Sequence, residues 1–306
     1  MILNLVGKFS NLWGCEHMIQ RGFEALGHIV HPFEISHSYA ILRRIEAGGL
    51  TVVLQGYGLA PKLIESIRRL TKKPVVLWHA EILPESWTTD DSVAIGKAEE
   101  LRKNVLAFDG VGHNCRLPLG FIRQIGGKNV FHALDNGVDA TVHRIIPGIQ
   151  KIHEIGMYGH QSPRRVEIVK HLCDMGLAIK WLLPGPNSYG EDLIRFINSC
   201  KLILNFHYSQ SRNFECRIYE SIGCGVPVVS EPVSMPDLIP EEYGLLQRDT
   251  PESIVEACRN LLSDTKVLES IGQLGYNYFH ENHSYTNRCQ FFISEVEKLI
   301  HEGRLM

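Results

Sequence analysis

The fold is decided by the stretch NFHYSQSRNFECRIYESIGCGVPVVS, which runs from Asn205 to Ser230. An apolar run stands at each end of it, with the length and composition of a strand that is buried on both faces. Between these runs, residues 213–223 have the spacing of a helix, because Phe214, Ile218 and Ile222 recur on one face. A strand, a helix and a second strand in this order predict part of a parallel sheet.

The same alternation of short apolar strands and helical segments extends along the whole chain. It restarts after Pro147, so we place a domain boundary within residues 138–150 and predict two domains, 1–145 and 146–306. The sequence therefore predicts an α/β fold of two Rossmann-like domains in series. The predicted strands are 2–6, 28–30, 51–54, 74–78, 104–108 and 129–132, then 154–158, 179–183, 201–206 and 226–230, with terminal helices near 265–281 and 287–302.

Composition excludes several classes of protein. The chain has 306 residues and a formal net charge of −3, and no apolar run reaches the length of a membrane helix. Residues 1–150 carry 16 Lys and Arg against 14 Asp and Glu, which is far from the basic excess typical of nucleic-acid-binding proteins. The eight cysteines include no C-x-x-C pair, so we expect reduced thiols, a cytoplasmic location and no metal site.

Two groups of polar residues stand where ligands bind in parallel sheets. Ser162 is a suitable helix N-cap, and Arg164 and Arg165 follow it in the first turn. Two cations are unfavourable at that end of a helix dipole unless an anion meets them, so the pair indicates a diphosphate site or a solvated surface pair. Arg217 and Glu220 share a helix face, where the carboxylate can bind vicinal hydroxyls or form a simple surface ion pair.

The run RIYESIGCGVPVVSE, residues 217–231, resembles the nucleotide-sugar signature of GT-B glycosyltransferases, in particular the group 1 branch that includes spore-maturation-type enzymes. DNGVD at residues 135–139 resembles the segment that precedes the second domain of that group, and the loop from Met157 to Arg165 resembles its first phosphate loop. The resemblance covers residues 135–290 and implies two Rossmann-like domains that face a cleft, with the last helix crossing back to the first domain.

The resemblance also implies a set of donor-binding residues in the second domain. Glu220 corresponds to the carboxylate that binds the donor ribose, and the arginines correspond to the diphosphate contacts. The loop 184–189 corresponds to the nucleobase site. The full predicted donor-binding set is Gly159, Arg164, Arg165, Asn187, Tyr189, Arg217, Glu220 and Gly223.

One position departs from the family pattern. Many retaining members carry a glutamate eight residues before the ribose-binding one, and this chain has Arg212 there. Glu215 is the nearest carboxylate, so we assign it as the candidate catalytic residue that contacts the donor sugar. In the first domain, His79 and Glu81 follow a predicted strand and are candidates for the acceptor base. A structural role is the alternative for His79.

We therefore predict a hexosyltransferase that moves a sugar from a nucleotide diphosphate sugar, a UDP-sugar being favoured, to an acceptor hydroxyl. The resemblance implies a retaining, metal-independent reaction with no cofactor. The acceptor is left open between a glycan, a small molecule and a modified DNA base. The alternatives are a glucosyltransferase acting on a hydroxymethylated base in DNA and a non-catalytic nucleotide-sugar-binding module. The sequence lacks G-x-G-x-x-G, which argues against a nicotinamide-dependent dehydrogenase.

Overall fold

The computed structural model describes residues 1–55, 59–134, 136–186, 188–209, 215–234 and 239–305. The chain divides into two compact units, one of residues 1–136 with 285–306 and the other of residues 137–284. The division thus falls at 136/137, where the sequence predicts it at 145/146. The final helix groups with the first unit.

The described residues of the first unit form six parallel strands in the order β2-β1-β3-β4-β5-β6. Its most buried strands, β3 and β4, are apolar throughout or nearly so, as expected for a sheet covered on both faces. The strands are β1 (Ile2–Gly7), β2 (Ile29–Glu34), β3 (Leu50–Leu54), β4 (Val75–His79), β5 (Gly110–His113) and β6 (Val130–His132), and the helices are α1 (Cys15–Ala25), α2 (Ser38–Arg44), α3 (Pro61–Thr71), α4 (Ser92–Arg102), α5 (Leu119–Gln124) and α11 (Tyr285–His301).

The last helix is part of the first unit because its apolar face packs there. Phe292 of α11 stacks on Trp78 of β4 with ring centroids 4.3 Å apart. A Cβ at Gly22 of α1 would lie 2.8 Å from both the Cys289 sulfur and the Tyr285 carbonyl oxygen. The absence of a side chain at this glycine therefore lets α1 and α11 approach closely.

In the part of the second unit that the structure describes, five parallel strands follow the order β11-β10-β9-β7-β8. In both units the second strand along the chain pairs on one side of the first, and the third pairs on the other side. Each sheet therefore has a switch point, between β1 and β3 and between β7 and β9. The elements are β7 (His153–Tyr158), β8 (Ile179–Leu182), β9 (Cys200–Asn205), β10 (Val228–Ser230) and β11 (Leu245–Gln247), with α6 (Pro163–Asp174), α7 (Gly190–Asn198), α8 (Cys216–Ile222), α9 (Pro251–Ser263) and α10 (Thr265–Asn282).

One predicted strand is wrong. Residues 104–108 form a short 3-10 turn around 105–107, and the neighbouring Gly110–His113 is the strand that pairs with β4 and β6. Leu106 is 63% exposed, so the apolar run does not mark a buried strand. Gly112 suits the strand because a Cβ there would lie 3.0 Å from the Phe131 ring. Packing between strands therefore outweighs the low strand propensity of glycine.

Candidate functional site

The candidate site lies in the second unit, at the carboxyl ends of β7 and β9. These two strands are neighbours in the sheet, but the chain leaves them toward opposite sides, to β8 and to β10. The loops that follow such strands diverge and leave a crevice at the sheet edge, which is where ligands bind in doubly wound folds. The predicted residues Gly159, Arg164 and Arg165 follow β7, and Glu215 and Arg217 follow β9.

Arg217 holds the ends of the two strands together. Its buried guanidinium donates from Nε to the Tyr158 carbonyl oxygen at 2.9 Å, and from Nη1 to Asn205 Oδ1 at 2.5 Å and Glu215 Oε2 at 3.0 Å. Tyr158 and Asn205 are the last residues of β7 and β9. Arg217 also lies over the Tyr158 ring, 5.3 Å from its centroid. The Glu215 carboxylate raises the pKa of Arg217 despite burial, so this residue stays a cation.

Gly159 is required by the conformation of the loop after β7. Its φ is +107°, a value that side chains disfavour, and a Cβ there would lie 3.0 Å from Arg217 Nη2. Its N–H donates to the Leu182 carbonyl oxygen, and its own carbonyl accepts from Trp181 Nε1, both at 3.1 Å. These bonds tie the loop to β8, so the glycine leaves the guanidinium room beside a rigid backbone.

Helix α6 begins with the N-cap that the sequence predicts. The Ser162 hydroxyl accepts from the Arg165 N–H at 3.3 Å, and Pro163 occupies the first helical position. This prediction is confirmed. The positive end of the α6 dipole therefore stands beside the carboxyl end of β7.

The sequence predicts the two arginines of α6 as equivalent diphosphate contacts, but in the structure they differ in exposure. The Arg165 side chain is only 4% exposed. It donates from Nε to the Phe206 carbonyl at 2.8 Å, from Nη1 to the His160 carbonyl at 3.0 Å and from Nη2 to Glu215 at 3.1 Å. Arg165 therefore joins the two loops, and a diphosphate contact for this residue stays a prediction.

Arg164 is the accessible member of the pair. Its side chain is 36% exposed and forms a two-pronged ion pair with Glu231, with Nη1 2.9 Å from Oε1. Nη1 also donates to the His207 carbonyl oxygen at 3.2 Å. Glu231 in turn accepts from the His207 backbone N–H. A diphosphate contact for Arg164 stays a prediction, and the structure adds Glu231 as the residue that orients it.

Glu215 is surrounded by two arginines and a histidine. Its carboxylate lies 3.1 Å from Arg165 Nη2, 3.0 Å from Arg217 Nη1 and 3.5 Å from His207 Nδ1. Burial raises the pKa of this carboxyl, but Arg217, then the His207 hydrogen bond and Arg165, outweigh burial and lower the pKa to about 2. The sequence-based role is contact with the donor sugar. In the structure both of its oxygens face the two arginines, and contact with the donor sugar stays a prediction for Glu215.

Glu220 is the half-buried carboxylate of the site, one helical turn after Cys216 on α8. The Tyr158 hydroxyl donates to Glu220 Oε2 at 2.8 Å. Burial raises the pKa of the Glu220 carboxyl above its ordinary value, although the Tyr158 hydrogen bond and Arg217 oppose the shift. Burial raises the pKa of Tyr158 well above its ordinary value too, so the phenol keeps its proton and acts as the donor. Sequence reasoning missed Tyr158, although its position at the end of a strand was a usable signal.

The remaining predicted residues of the second unit have varied positions. The space beside Gly223 is filled by protein, since a Cβ there would lie 2.6 Å from Val138 and 2.7 Å from the Tyr219 carbonyl oxygen. Gly223 is therefore tightly packed inside the unit, and its predicted donor contact stays a prediction. Tyr189 precedes α7 and is 54% exposed. Asn187 and Arg212 lie outside the described residues, as does Asp135 of the DNGVD segment.

In the first unit, His79 and Glu81 differ sharply in exposure. His79 is fully buried at the end of β4 and stacks on His113 with ring centroids 5.2 Å apart. Burial, with smaller effects of His113 and Lys97, lowers the pKa of His79 well below its ordinary value. Because His79 has no exposed surface, the structure favours the structural alternative for this residue, and its role as the acceptor base stays a prediction. Glu81 is accessible and lies 3.7 Å from Lys97 Nζ.

Comparison with known proteins identifies the segment that carries this site. Residues 165–294 match the family model described as "Glycosyl transferase-like". These residues include Arg165, Glu215, Arg217, Glu220 and Glu231. The matched segment, which is less than half of the chain, is therefore similar to glycosyl transferases. The spore-maturation-type branch stays a prediction.

The chain as a whole has the GT-B fold. The chain aligns with sucrose-phosphate synthase from Thermosynechococcus elongatus at a TM-score of 0.66 and 11% identity, over 99% of this chain and 100% of that one. Anabaena HepE in complex with UDP-glucose aligns at a TM-score of 0.61 and 13% identity, over 98% and 100% of the two chains. These alignments confirm the predicted α/β architecture of two Rossmann-like domains.

A viral relative is similar over a shorter segment. Uncharacterized protein L140 of Acanthamoeba polyphaga mimivirus is 26% identical over 149 residues, which are 45% of this chain and 47% of the viral protein. The chain thus aligns with about half the length of this curated relative. A membrane-spanning helix, which would have to be long and apolar, is not found among the described residues.

Proposed function

We propose that the protein is a glycosyltransferase that moves a hexose from a UDP-sugar to an acceptor hydroxyl, with the donor bound by the second unit. The observation that carries the proposal is that a pre-oriented carboxylate, Glu220, and an accessible cation, Arg164, are both present at one switch point of the sheet. A nucleoside diphosphate presents the matching groups, a ribose diol and a diphosphate. UDP is favoured because HepE, which has the same fold, was crystallised in complex with UDP-glucose.

Glu220 supplies the ribose contact in this proposal. A carboxylate can accept two hydrogen bonds from vicinal hydroxyls, and charge-assisted bonds of this kind are stronger than neutral ones. Tyr158 occupies Oε2 with one hydrogen bond and thereby fixes the plane of the carboxylate. A fixed acceptor loses little conformational entropy when the ligand binds.

Arg164 and the start of α6 supply the diphosphate contact. The positive end of the helix dipole favours an anion, and the exposed guanidinium can bind phosphate oxygens in place of Glu231. Arg165, Arg217 and Glu215 then have a supporting role, since they hold the loops after β7 and β9 in position.

The chemistry of the transfer needs little more from the protein than charge stabilisation. The anomeric carbon forms a bond with the acceptor oxygen and loses its bond to the β-phosphate oxygen, which leaves with the electron pair and takes up the proton that the acceptor hydroxyl loses. Fixed cations near the departing phosphate stabilise that developing charge. We assign this role to Arg164 without a metal ion, and propose retention of configuration from the resemblance to retaining enzymes.

The test is calorimetric titration of the purified protein with UDP, GDP and UDP-glucose, followed by measurement of UDP release from UDP-glucose with and without candidate acceptors. We expect UDP to bind more tightly than GDP, and Glu220→Ala to weaken UDP binding while the exposed Glu167→Ala, on α6, does not. Failure of every nucleoside diphosphate to bind would reject the proposal. Tight UDP binding without turnover of any UDP-sugar would favour the non-catalytic alternative.

A further inference from the structure

Glu231, the partner of Arg164, is fixed just after the end of β10. Its backbone N–H donates to the Asn205 carbonyl oxygen at 3.3 Å, at the end of the neighbouring β9. The Glu231 side chain is 13% exposed, and its carboxylate accepts from the His207 backbone N–H. Both the backbone and the carboxylate of Glu231 are therefore held by the segment that ends β9.

Arg164 is the less restrained member of this ion pair. Its Nη1 and Nη2 groups donate to the two oxygens of Glu231, and Nη1 also donates to the His207 carbonyl oxygen at 3.2 Å. The Arg164 side chain is 36% exposed, and exposed side chains change rotamer rapidly. An anion at this edge of the sheet can therefore draw Arg164 away from Glu231, whose backbone and His207 contacts do not depend on the arginine.

Glu231 keeps favourable contacts when Arg164 turns away. The His207 N–H still donates to the carboxylate, because this bond joins two neighbouring strand ends. Glu231 also interacts with the buried Arg165: burial lowers the pKa of Arg165, and the charge of Glu231 is among the effects that oppose this shift. A carboxylate with a backbone donor and a second cation nearby is not left uncompensated. It therefore remains in place and can pair with Arg164 again.

A carboxylate and a phosphate compete for the same donors of a guanidinium, because each accepts a pair of parallel hydrogen bonds from it. Glu231 occupies the outer end of Arg164, which is the part of the side chain that reaches furthest from α6. A competitor that belongs to the same chain acts at a high effective concentration. The apparent affinity for the phosphate is then reduced by the fraction of the protein in which Arg164 is paired with Glu231.

We propose that Glu231 is an internal competitor of the diphosphate, which takes Arg164 back from the bound nucleotide and so speeds the release of the nucleoside diphosphate product. The proposal rests on the proposed function, since it takes UDP to be the product of sugar transfer. That product retains both phosphates, so its contact with Arg164 persists after the reaction. Glu231 lets Arg164 exchange one anionic partner for another during dissociation. Product release limits the turnover of many enzymes, so such an exchange favours turnover.

The alternative is that Glu231 only orients Arg164 toward the phosphates. A residue in that role would leave the outer end of the guanidinium free for the ligand and would bond to Nε. Glu231 instead bonds to Nη1 and Nη2, so the ion pair uses the groups that a phosphate needs. The two roles predict opposite results when the charge of Glu231 is removed: UDP binds more tightly if Glu231 competes, and more weakly if it orients.

The experiment measures UDP and uridine binding to the full chain, with affinities from calorimetry and dissociation rates from surface plasmon resonance. Glu231→Gln removes the charge but keeps an acceptor for the His207 N–H. We expect UDP to bind this variant about threefold to fivefold more tightly and to dissociate correspondingly more slowly, as a partly exposed ion pair shifts an equilibrium by at most about fivefold. Uridine, which has no phosphate, should bind both proteins equally.

Glu241→Gln is the matched control. It removes the carboxylate of another ion pair of the second unit, in which Arg248 Nη1 lies 2.6 Å from Glu241 Oε1, and it should bind UDP like the wild type. Glu231→Gln is also made in the Arg164→Ala background, where it should leave UDP binding unchanged because the competitor acts through Arg164. Melting temperatures of the variants show whether each one folds.

Two results would overturn the inference while leaving the proposed function intact. In the first, UDP binds Glu231→Gln as tightly as the wild type or more weakly, which would mean that the carboxylate orients Arg164 or has no part in binding. In the second, Glu231→Gln slows UDP release equally in the Arg164→Ala background, which would mean that Glu231 only repels the phosphates. If UDP does not bind the wild type at all, the proposed function itself is rejected together with the internal competitor.

Discussion

The hydroxyl of Tyr158 donates to Oε2 of Glu220 at 2.8 Å, and the same phenol oxygen lies 3.2 Å from the Ser221 hydroxyl. A residue at the end of a central strand thus orients a carboxylate on the helix that follows the neighbouring strand. This hydrogen bond is present in the structure without a ligand, so the carboxylate is oriented before any ligand arrives. Tyr158 therefore positions the carboxylate, and Glu220 is the residue proposed to contact the ligand.

The first prediction concerns these two residues. Glu220→Ala is expected to weaken UDP binding by roughly 1.5–3 kcal/mol, because a charged acceptor is lost. Tyr158→Phe should have a smaller effect, of about 1 kcal/mol, because the carboxylate remains but loses its orientation. Titration with UDP and with 2′-deoxy-UDP distinguishes the roles. If the wild type and Glu220→Ala lose equal affinity on removal of the 2′-hydroxyl, the ribose contact is wrong.

The second prediction concerns Arg164 and Arg165, which differ in burial. Arg164→Ala is expected to weaken UDP binding about tenfold or more with little effect on uridine, because only the diphosphate is contacted. Its effect on stability should be small, since a partly exposed ion pair contributes at most about 1 kcal/mol. Isothermal titration with both ligands and urea unfolding provide the readouts.

Arg165→Ala is expected to destabilise the second unit by about 3–5 kcal/mol, because it leaves the buried Glu215 with a lost partner and two carbonyls without a donor. The affinities of the folded Arg165→Ala protein for uridine and for UDP should fall by nearly the same factor relative to the wild type. A stable Arg165→Ala variant with a selective loss of UDP binding would show that this arginine contacts phosphate after all.

The third prediction concerns the stability of the second unit in acid. The folded protein has a Glu215 pKa of about 2, below the ordinary value of 4.5, so the ionised carboxylate stabilises the fold. This contribution, on the order of 3 kcal/mol, is complete above pH 4.5 and is lost as the pH falls from 4.5 toward 2. Glu215→Gln should therefore be less stable than the wild type at neutral pH, and the difference should shrink through that window.

Urea unfolding of wild type and Glu215→Gln at a series of pH values measures this effect. The matched control is Glu167→Gln, which changes an exposed carboxylate on α6 and should leave the pH dependence unchanged. A constant difference between wild type and Glu215→Gln across the window would mean that the carboxylate is not held ionised by the arginines.

The fourth prediction concerns Gly223. Gly223→Ala places a Cβ 2.6 Å from Val138 and 2.7 Å from the Tyr219 carbonyl, so it is expected to destabilise the second unit by about 1–3 kcal/mol. The control is Gly96→Ala in α4, where a Cβ meets nothing within 4 Å and the helix should gain about 0.5–1 kcal/mol. Thermal unfolding compares them. Unchanged stability of Gly223→Ala, together with a loss of UDP affinity, would restore the predicted donor contact.

Much of the fold could be predicted because its signals are local. The strands of a sheet covered on both faces are short apolar runs, and the terminal helices α10 and α11 repeat apolar residues on one face. The prediction failed where local pattern and packing disagree. Gly110–His113 has low strand propensity but fits between β4 and β6, and the three residues of β11 are too few to produce a pattern.

Part of the candidate site was also readable from local pattern. Ser162 and Pro163 mark the start of α6 whatever packs around it, and Glu220 shares a helix face with Arg217 by spacing alone. The roles of Arg165 and Glu215 were not readable, because their partners are distant in sequence. Arg165 bonds to Phe206, which is 41 residues away, and to Glu215, which is 50 residues away.

The sequence by itself determined the alternation of strands and helices, the start of α6 and the chemical types present at the carboxyl ends of β7 and β9. These properties depend on periodicity, capping and composition, which act within a few residues. Only the tertiary structure decided which charged group is accessible and which is buried. Arg164 and Arg165 are adjacent and chemically identical. Helix geometry directs Arg164 toward Glu231, and it directs Arg165 toward the Phe206 carbonyl oxygen and Glu215. Burial and pairing depend on segments that meet only after folding. For this reason Arg164 is left accessible to a ligand, whereas Arg165 holds the two loops together.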